Sequence, residues 1–171
     1  MNIFVKSLLY LIMFSILHFG YDLTHLIFLI PFCGVNESVF QHLKMAFWSY
    51  LFTNLIEYFI EKEKILKKDN FWYPRLLTTI IVPWFVILVW YLVPALIGKL
   101  KSTGLEIVWA IFTTYISGIM GGVIEKNFEN HSFNLKIKIL ILILFIISAF
   151  LYIRFTYSPP WIDLFENPET L

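Results

Sequence analysis

Five long apolar stretches follow one another along the chain, separated by shorter polar segments. Each is long enough to cross the hydrocarbon core of a bilayer as a helix, which takes about 20 apolar residues. The pattern predicts an all-α integral membrane protein, a bundle of five transmembrane helices in a single transmembrane domain over residues 1–171. The predicted helices cover about residues 3–30, 37–61, 76–97, 105–124 and 137–156, and an extracytoplasmic tail follows at 157–171.

The composition supports this class and excludes others. Of the 171 residues, 59% are hydrophobic and 15% are charged, which is far from the composition of an ordinary soluble domain. The net charge of +1 offers no basic surface to nucleic acid, and the single Cys33 excludes an intrachain disulfide or a zinc site made of thiolates. We expect a multi-pass protein of a cell membrane, with the lipid bilayer as its main partner.

The basic residues predict the orientation. With five spans, the N-terminus and two of the loops share one side of the membrane. That side holds Lys6, Lys62, Lys64, Lys67, Lys68, Arg75, Lys126, Lys136 and Lys138. The other side holds Lys99, Lys101 and Arg154, with Lys44 just inside the second helix. Because cytoplasmic loops carry the excess of Lys and Arg, we expect the N-terminus in the cytoplasm and the C-terminus outside.

Polar residues inside apolar spans are expensive to bury, and here they gather toward the outer face. His18, Asp22 and His25 are spaced to share one face of a helix that continues through Gly20. The second helix is predicted to begin with Asn36 as its N-cap and Glu37 in its first turn. The sequence thus predicts an outer pocket whose candidate binding residues are His18, Asp22, Asn36, Glu37, His42 and Arg154.

Several interpretations of this pocket stay open. It is typical of a site that binds or moves a small solute, a lipid headgroup or a proton. In a second interpretation zinc is the cofactor and the protein is an intramembrane hydrolase. The sequence does not decide between these two interpretations, so whether the chain is an enzyme stays open. The metal candidates are His18, Asp22, His25 and His42, and the catalytic candidates are Glu37, Ser38 and His42. In a third, the cluster is structural, with the histidines bonded to nearby carboxylates.

Two further features bear on partners and on a second site. Gly118 and Gly122 form a small-residue pattern, which packs helices closely and would also suit oligomerisation or an accessory subunit of a larger complex. Asn54, Glu57 and Tyr58 form a weaker polar group near the end of the second helix. There we expect Glu57 to extend to the membrane interface beside Lys62.

The tail is predicted to fold back onto the outer mouth of the bundle. Two adjacent prolines, Pro159 and Pro160, stop the preceding helix, and Trp161, Leu164 and Phe165 are too apolar to stay in water.

Four segments together resemble a known family. They are Leu17-His18-Phe19, the block V-N-E-S-V-x-x-H-L-K at 35–44, Ile56-Glu57-Tyr58, and the tail with its paired prolines. The family consists of small bacterial polytopic membrane proteins without an assigned function. In its pattern a histidine often follows the prolines, where this chain has Trp161. The resemblance implies a shared small membrane fold and importance for His18, Glu37, Ser38 and His42, without implying an activity.

Overall fold

The computed structural model describes residues 1–65, 70–98, 100 and 102–168, and for 64 and 65 it describes the backbone alone. This part of the chain is all α-helical, without strands. Five long helices and one short helix follow in order: α1 (Ile3–Thr24), α2 (Val39–Ile60), α3 (Lys62–Ile65), α4 (Trp72–Ile97), α5 (Thr103–Phe128) and α6 (Leu135–Tyr157). Of the basic residues used to predict the orientation, Lys67, Lys68, Lys99 and Lys101 lie outside the described residues.

Four of the long helices, α1, α4, α5 and α6, are long and apolar enough to cross a membrane. The fifth, α2, is not among them, because it carries Gln41, Lys44, Asn54 and Glu57. It is also the most buried helix, with 13 of its 22 residues inside the bundle. A helix surrounded by others can hold polar side chains that a lipid-facing helix cannot. The arrangement therefore explains why the most polar long helix is the central one.

The core lies between α2 and its neighbours. Tyr10 and Phe14 of α1 and Val82 of α4 pack against the buried middle of α2. Phe47 of α2 meets Phe145 of α6, with ring centroids 5.5 Å apart. The outward faces of the other long helices carry many exposed leucine, isoleucine and phenylalanine side chains, as expected of surfaces in contact with lipid chains.

Helix α1 ends at Thr24 and not near residue 30, as the sequence predicted. His25 adopts a left-handed conformation with φ of 53° and donates its backbone N–H to Tyr21. This conformation ends the helix, and a short 3-10 turn, Ile27–Leu29, follows. His25 therefore leaves the helical face on which it was predicted to lie.

The predicted N-cap of α2 was also wrong. The cap is Ser38, whose hydroxyl accepts the backbone N–H of Gln41 at 3.4 Å. Asn36 lies two residues earlier, where its side-chain oxygen accepts the N–H of Ser38 at 3.0 Å. Glu37 consequently lies in the connecting loop, before the first helical turn. At α4 the helix begins at Trp72 instead of residue 76, because Pro74 fits the first turn, where its missing N–H loses no bond.

Candidate functional site

A stripe of rings on α1 sets the position of His18. Tyr10, Phe14 and His18 are each one helical turn apart and share the face directed at α2. Phe14 contacts the rings of both His18 and His42, at centroid distances of 6.3 and 6.5 Å. The two imidazoles meet edge to face with centroids 5.5 Å apart. The packing of α1 on α2 thus brings together two histidines that are 24 positions apart in the sequence.

The loop between the two helices brings Glu37 to the same place. Gly34 donates its backbone N–H to Leu17 on α1 at 3.1 Å, and this bond ties the loop to the helix. A side chain at Gly34 would meet Met45 at 2.9 Å, so the loop approaches α2 closely. The bond from Ser38 to Asn36 then turns the backbone into α2. These local bonds leave Glu37 facing the histidines.

His18, Glu37 and His42 form a compact group of donor atoms, all within 4.8 Å of one another. One Glu37 oxygen lies 3.4 Å from Nε2 of His42, and the other lies 3.8 Å from Nε2 of His18. Nδ1 of His42 lies 3.0 Å from the Ser38 carbonyl oxygen. The three side chains are 25–39% exposed, so the group is partly desolvated and still accessible from the surface of the protein.

A cavity of about 230 Å³ adjoins this group. Its lining comprises His18, Asp22, Gly34, Val35, Asn36, Glu37, Met45 and Asn167. Two of these residues are acids and none is lysine or arginine. Lys44, the nearest basic residue in the sequence, is fully buried and donates to the Ile30 carbonyl at 2.9 Å. The cavity is therefore suited to a positively charged occupant.

The other residues predicted for this site have different positions. Asp22 lines the cavity, whereas His25 is exposed and packs its ring against Tyr21. Ser38 is 1% exposed and its hydroxyl is engaged in capping α2. Arg154 is exposed on α6 and does not line the cavity.

The prediction that the tail folds back is confirmed for the part of it that the structure describes. The Phe165 ring contacts Phe40 near the start of α2, with centroids 4.5 Å apart. Asn167, two residues later, contributes to the cavity wall. Trp161 instead is 93% exposed, so the tail is fixed by Phe165 and not by its tryptophan.

Sequence reasoning missed a charge network at the opposite end of the bundle. Lys6 of α1 donates to Glu57 of α2 at 2.6 Å and also to Glu125 of α5. Arg75 of α4 donates to both oxygens of Glu57, at 2.9 and 3.1 Å, and to Glu129 at 2.7 Å. Glu57 is only 2% exposed, so the prediction that it extends to the membrane interface was wrong. A second cavity of about 160 Å³ lies beside these groups.

The sequence feature from which this network could have been predicted is the presence of acidic residues within apolar spans. Glu57 and Glu125 both needed partners, because an unpaired carboxylate is costly to bury. From the sequence, Lys6 and Arg75 are expected at the cytoplasmic flank, where basic residues are common. Both are at least 97% buried, so they serve as partners of the acids instead.

These observations define a class: a helical bundle of the membrane-protein type, with a histidine–carboxylate pocket at one end and a buried charge network at the other. Residues 2–170 match the family of unknown function DUF6512, and the chain belongs to that family. No curated protein and no solved structure matches it significantly.

Proposed function

We propose that this chain crosses the membrane five times and binds a small, positively charged solute in the outer cavity. The N-terminus is cytoplasmic, the C-terminus is outside, and residues 1–171 form one transmembrane domain. The acidic lining of the 230 Å³ cavity is the observation that carries the proposal. The orientation is supported by Lys62, Lys126, Lys136 and Lys138, which all belong to the end of the bundle opposite the cavity.

The buried position of α2 supports the fifth span. It runs between the charge network, at Glu57, and the outer pocket, at His42, and these residues are about 22 Å apart along the helix at 1.5 Å per residue. Because α1 and α4 pack against the same helix, we expect α2 to cross the membrane beside them. Its polar side chains face neighbouring helices and so avoid the lipid chains.

Binding is favoured over passage through the bundle. The outer cavity and the cavity beside the charge network have no lining residue in common. Tyr10 and Tyr50, both fully buried, pack edge to face between the two ends, with centroids 5.3 Å apart. Two buried aromatic rings therefore lie between the outer cavity and the cavity beside the charge network.

Thiol labelling tests the charge preference of the cavity. In the variant Val35→Cys, a cationic methanethiosulfonate reagent is expected to react faster than an anionic one by about tenfold, after normalisation to Trp161→Cys in the exposed tail. The rates are measured on intact cells with membrane-impermeant reagents. Adding Asp22→Asn to the Val35→Cys variant removes an acid from the lining, so the preference is expected to fall.

The wild-type chain is the blank for this experiment. Its Cys33 is 1% exposed, and burial raises the pKa of the thiol, so we expect little labelling. Ser132→Cys, in the exposed loop at the other end, is expected to react only after the cells are permeabilised. A preference for the anionic reagent at Val35→Cys would contradict the proposed cation pocket. Labelling of Ser132→Cys in intact cells would contradict the orientation.

A further inference from the structure

We propose that His18, Glu37 and His42 bind one transition-metal ion of the zinc type. This inference rests on the proposed function, since it names the cation that the outer pocket takes. The three donors come from the last two turns of α1, the connecting loop and the start of α2. Among the residues that the structure describes, these three side chains each offer one ligand atom, and the three atoms lie within 4.8 Å of one another.

The distances within the group suit ligands of one ion. The contacts of Glu37 with the two histidine nitrogens are 3.4 and 3.8 Å long, whereas an N–H···O hydrogen bond is normally about 2.7–3.2 Å. Two nitrogen or oxygen ligands about 2.0–2.2 Å from a tetrahedral zinc ion lie roughly 3.3–3.6 Å apart. The 3.4 Å contact with His42 falls in this range. The 3.8 Å contact, which His18 makes with the other Glu37 oxygen, and the 4.8 Å limit of the whole group exceed it, so an ion would draw the three donors closer together.

The protonation of His42 gives a second, independent argument. A carbonyl oxygen can only accept, so the 3.0 Å contact with Ser38 places a proton on Nδ1 of His42. In the neutral ring the lone pair is then on Nε2, which faces the Glu37 carboxylate. Two acceptors that face each other are satisfied by a positive charge between them, which is either a metal ion or the second proton of an imidazolium, and zinc titration distinguishes the two. A metal-binding histidine usually donates its other ring N–H to a backbone carbonyl or a carboxylate in this way.

The donor types select the class of metal. Two imidazoles and one carboxylate suit zinc and its neighbours, whereas calcium and magnesium prefer ligands that are all oxygen. Three protein ligands also leave one position of a tetrahedral ion open. The adjoining cavity, lined by Asp22 and Asn36, offers room for water or a small ligand at that position.

The direct test is metal binding by the purified full-length chain, produced without a histidine tag and stripped of metal in detergent. Titration with Zn²⁺ against a chromophoric chelator is expected to show one ion per chain. His18→Ala and His42→Ala are each expected to weaken binding by about 100-fold or more, and Glu37→Gln by at least about tenfold. Ca²⁺ and Mg²⁺ at the same concentrations are expected not to compete.

The chain offers matched controls, because it has four histidines. His25→Ala, close to the site and outside the group, and His131→Ala, at the other end of the bundle, are expected to bind zinc as the wild type does. Thermal unfolding separates lost binding from misfolding. Without metal the His18 and His42 variants should melt close to the wild type, and with zinc only the wild type and the two controls should be stabilised.

Either of two results would overturn the inference. The first is the absence of stoichiometric zinc on the wild type after titration, whatever the variants show. The second is a loss of binding in His25→Ala equal to that in the His18 and His42 variants. If zinc fails to bind while Val35→Cys keeps its preference for the cationic reagent, the metal assignment falls and the proposed cation pocket stands. If the labelling preference is absent as well, both fall.

Discussion

Replacement of Arg75 by methionine is expected to lower the free energy of unfolding by about 3–5 kcal/mol, because it leaves a buried carboxylate without its main partner. Arg75 makes two hydrogen bonds to Glu57 and a third to Glu129. Its guanidinium also lies 3.6 Å from the centre of the Phe71 ring. Methionine keeps much of the length of the side chain, so the change removes chiefly the charge and the hydrogen bonds.

Unfolding of the purified protein in detergent, followed by circular dichroism, measures this effect. Arg154→Met is the matched control, since Arg154 is exposed on α6, and it should unfold nearly as the wild type does. The double variant Glu57→Gln with Arg75→Met is expected to lose less than the sum of the two single changes, because its members share one interaction. An Arg75→Met protein as stable as the wild type would show that the network contributes little.

The same network connects four helices at one end of the bundle. Lys6 joins α1 to α2 and α5, and Arg75 joins α4 to α2. Thr78 adds a bond from α4 to the other oxygen of Glu125, at 2.8 Å. Because the histidine–carboxylate pocket lies at the opposite end of the bundle, a change in the network should reduce stability without altering the donor groups of the pocket.

The sequence was sufficient to predict the helical class and part of the pocket. Runs of about 20 apolar residues predict long helices directly, since a helix satisfies its backbone hydrogen bonds within its own segment. The polar character of His18, Glu37 and His42 pointed to one end of the bundle, and the structure brings these three together. The prediction failed for His25, because its left-handed conformation depends on how the chain leaves α1.

The charge network could not be predicted in the same way. Lys6 and Glu125 are 119 positions apart, and their pairing depends on which helices become neighbours. Positive-inside reasoning uses each basic residue near a helix end only to orient the chain, so it places Lys6 and Arg75 on the cytoplasmic side without partners. Only the packing of four helices shows that these charges face inward.

The glycines of α5 give the last prediction, because the sequence alone left them open to contacts between copies of the chain. In the structure this face lies against the chain's own helices. A Cβ at Gly118 would lie 2.8 Å from the Tyr10 ring, and one at Gly122 would lie 2.9 Å from Ile3. At Gly121 it would lie 2.6 Å from both the Tyr50 hydroxyl and Val82. Tyr50 and Val82 are fully buried, so neither can move aside easily.

Gly121→Ala is therefore expected to lower the free energy of unfolding by about 1–3 kcal/mol through overpacking. Gly104→Ala is the control on the same helix, since no atom lies within 4 Å of its added Cβ, and alanine there should leave stability unchanged or slightly higher. Light scattering of the detergent-solubilised protein distinguishes the two roles of the face. If these glycines pack helices within one chain, Gly121→Ala lowers stability at constant particle mass. If they join copies of the chain, the particle mass falls.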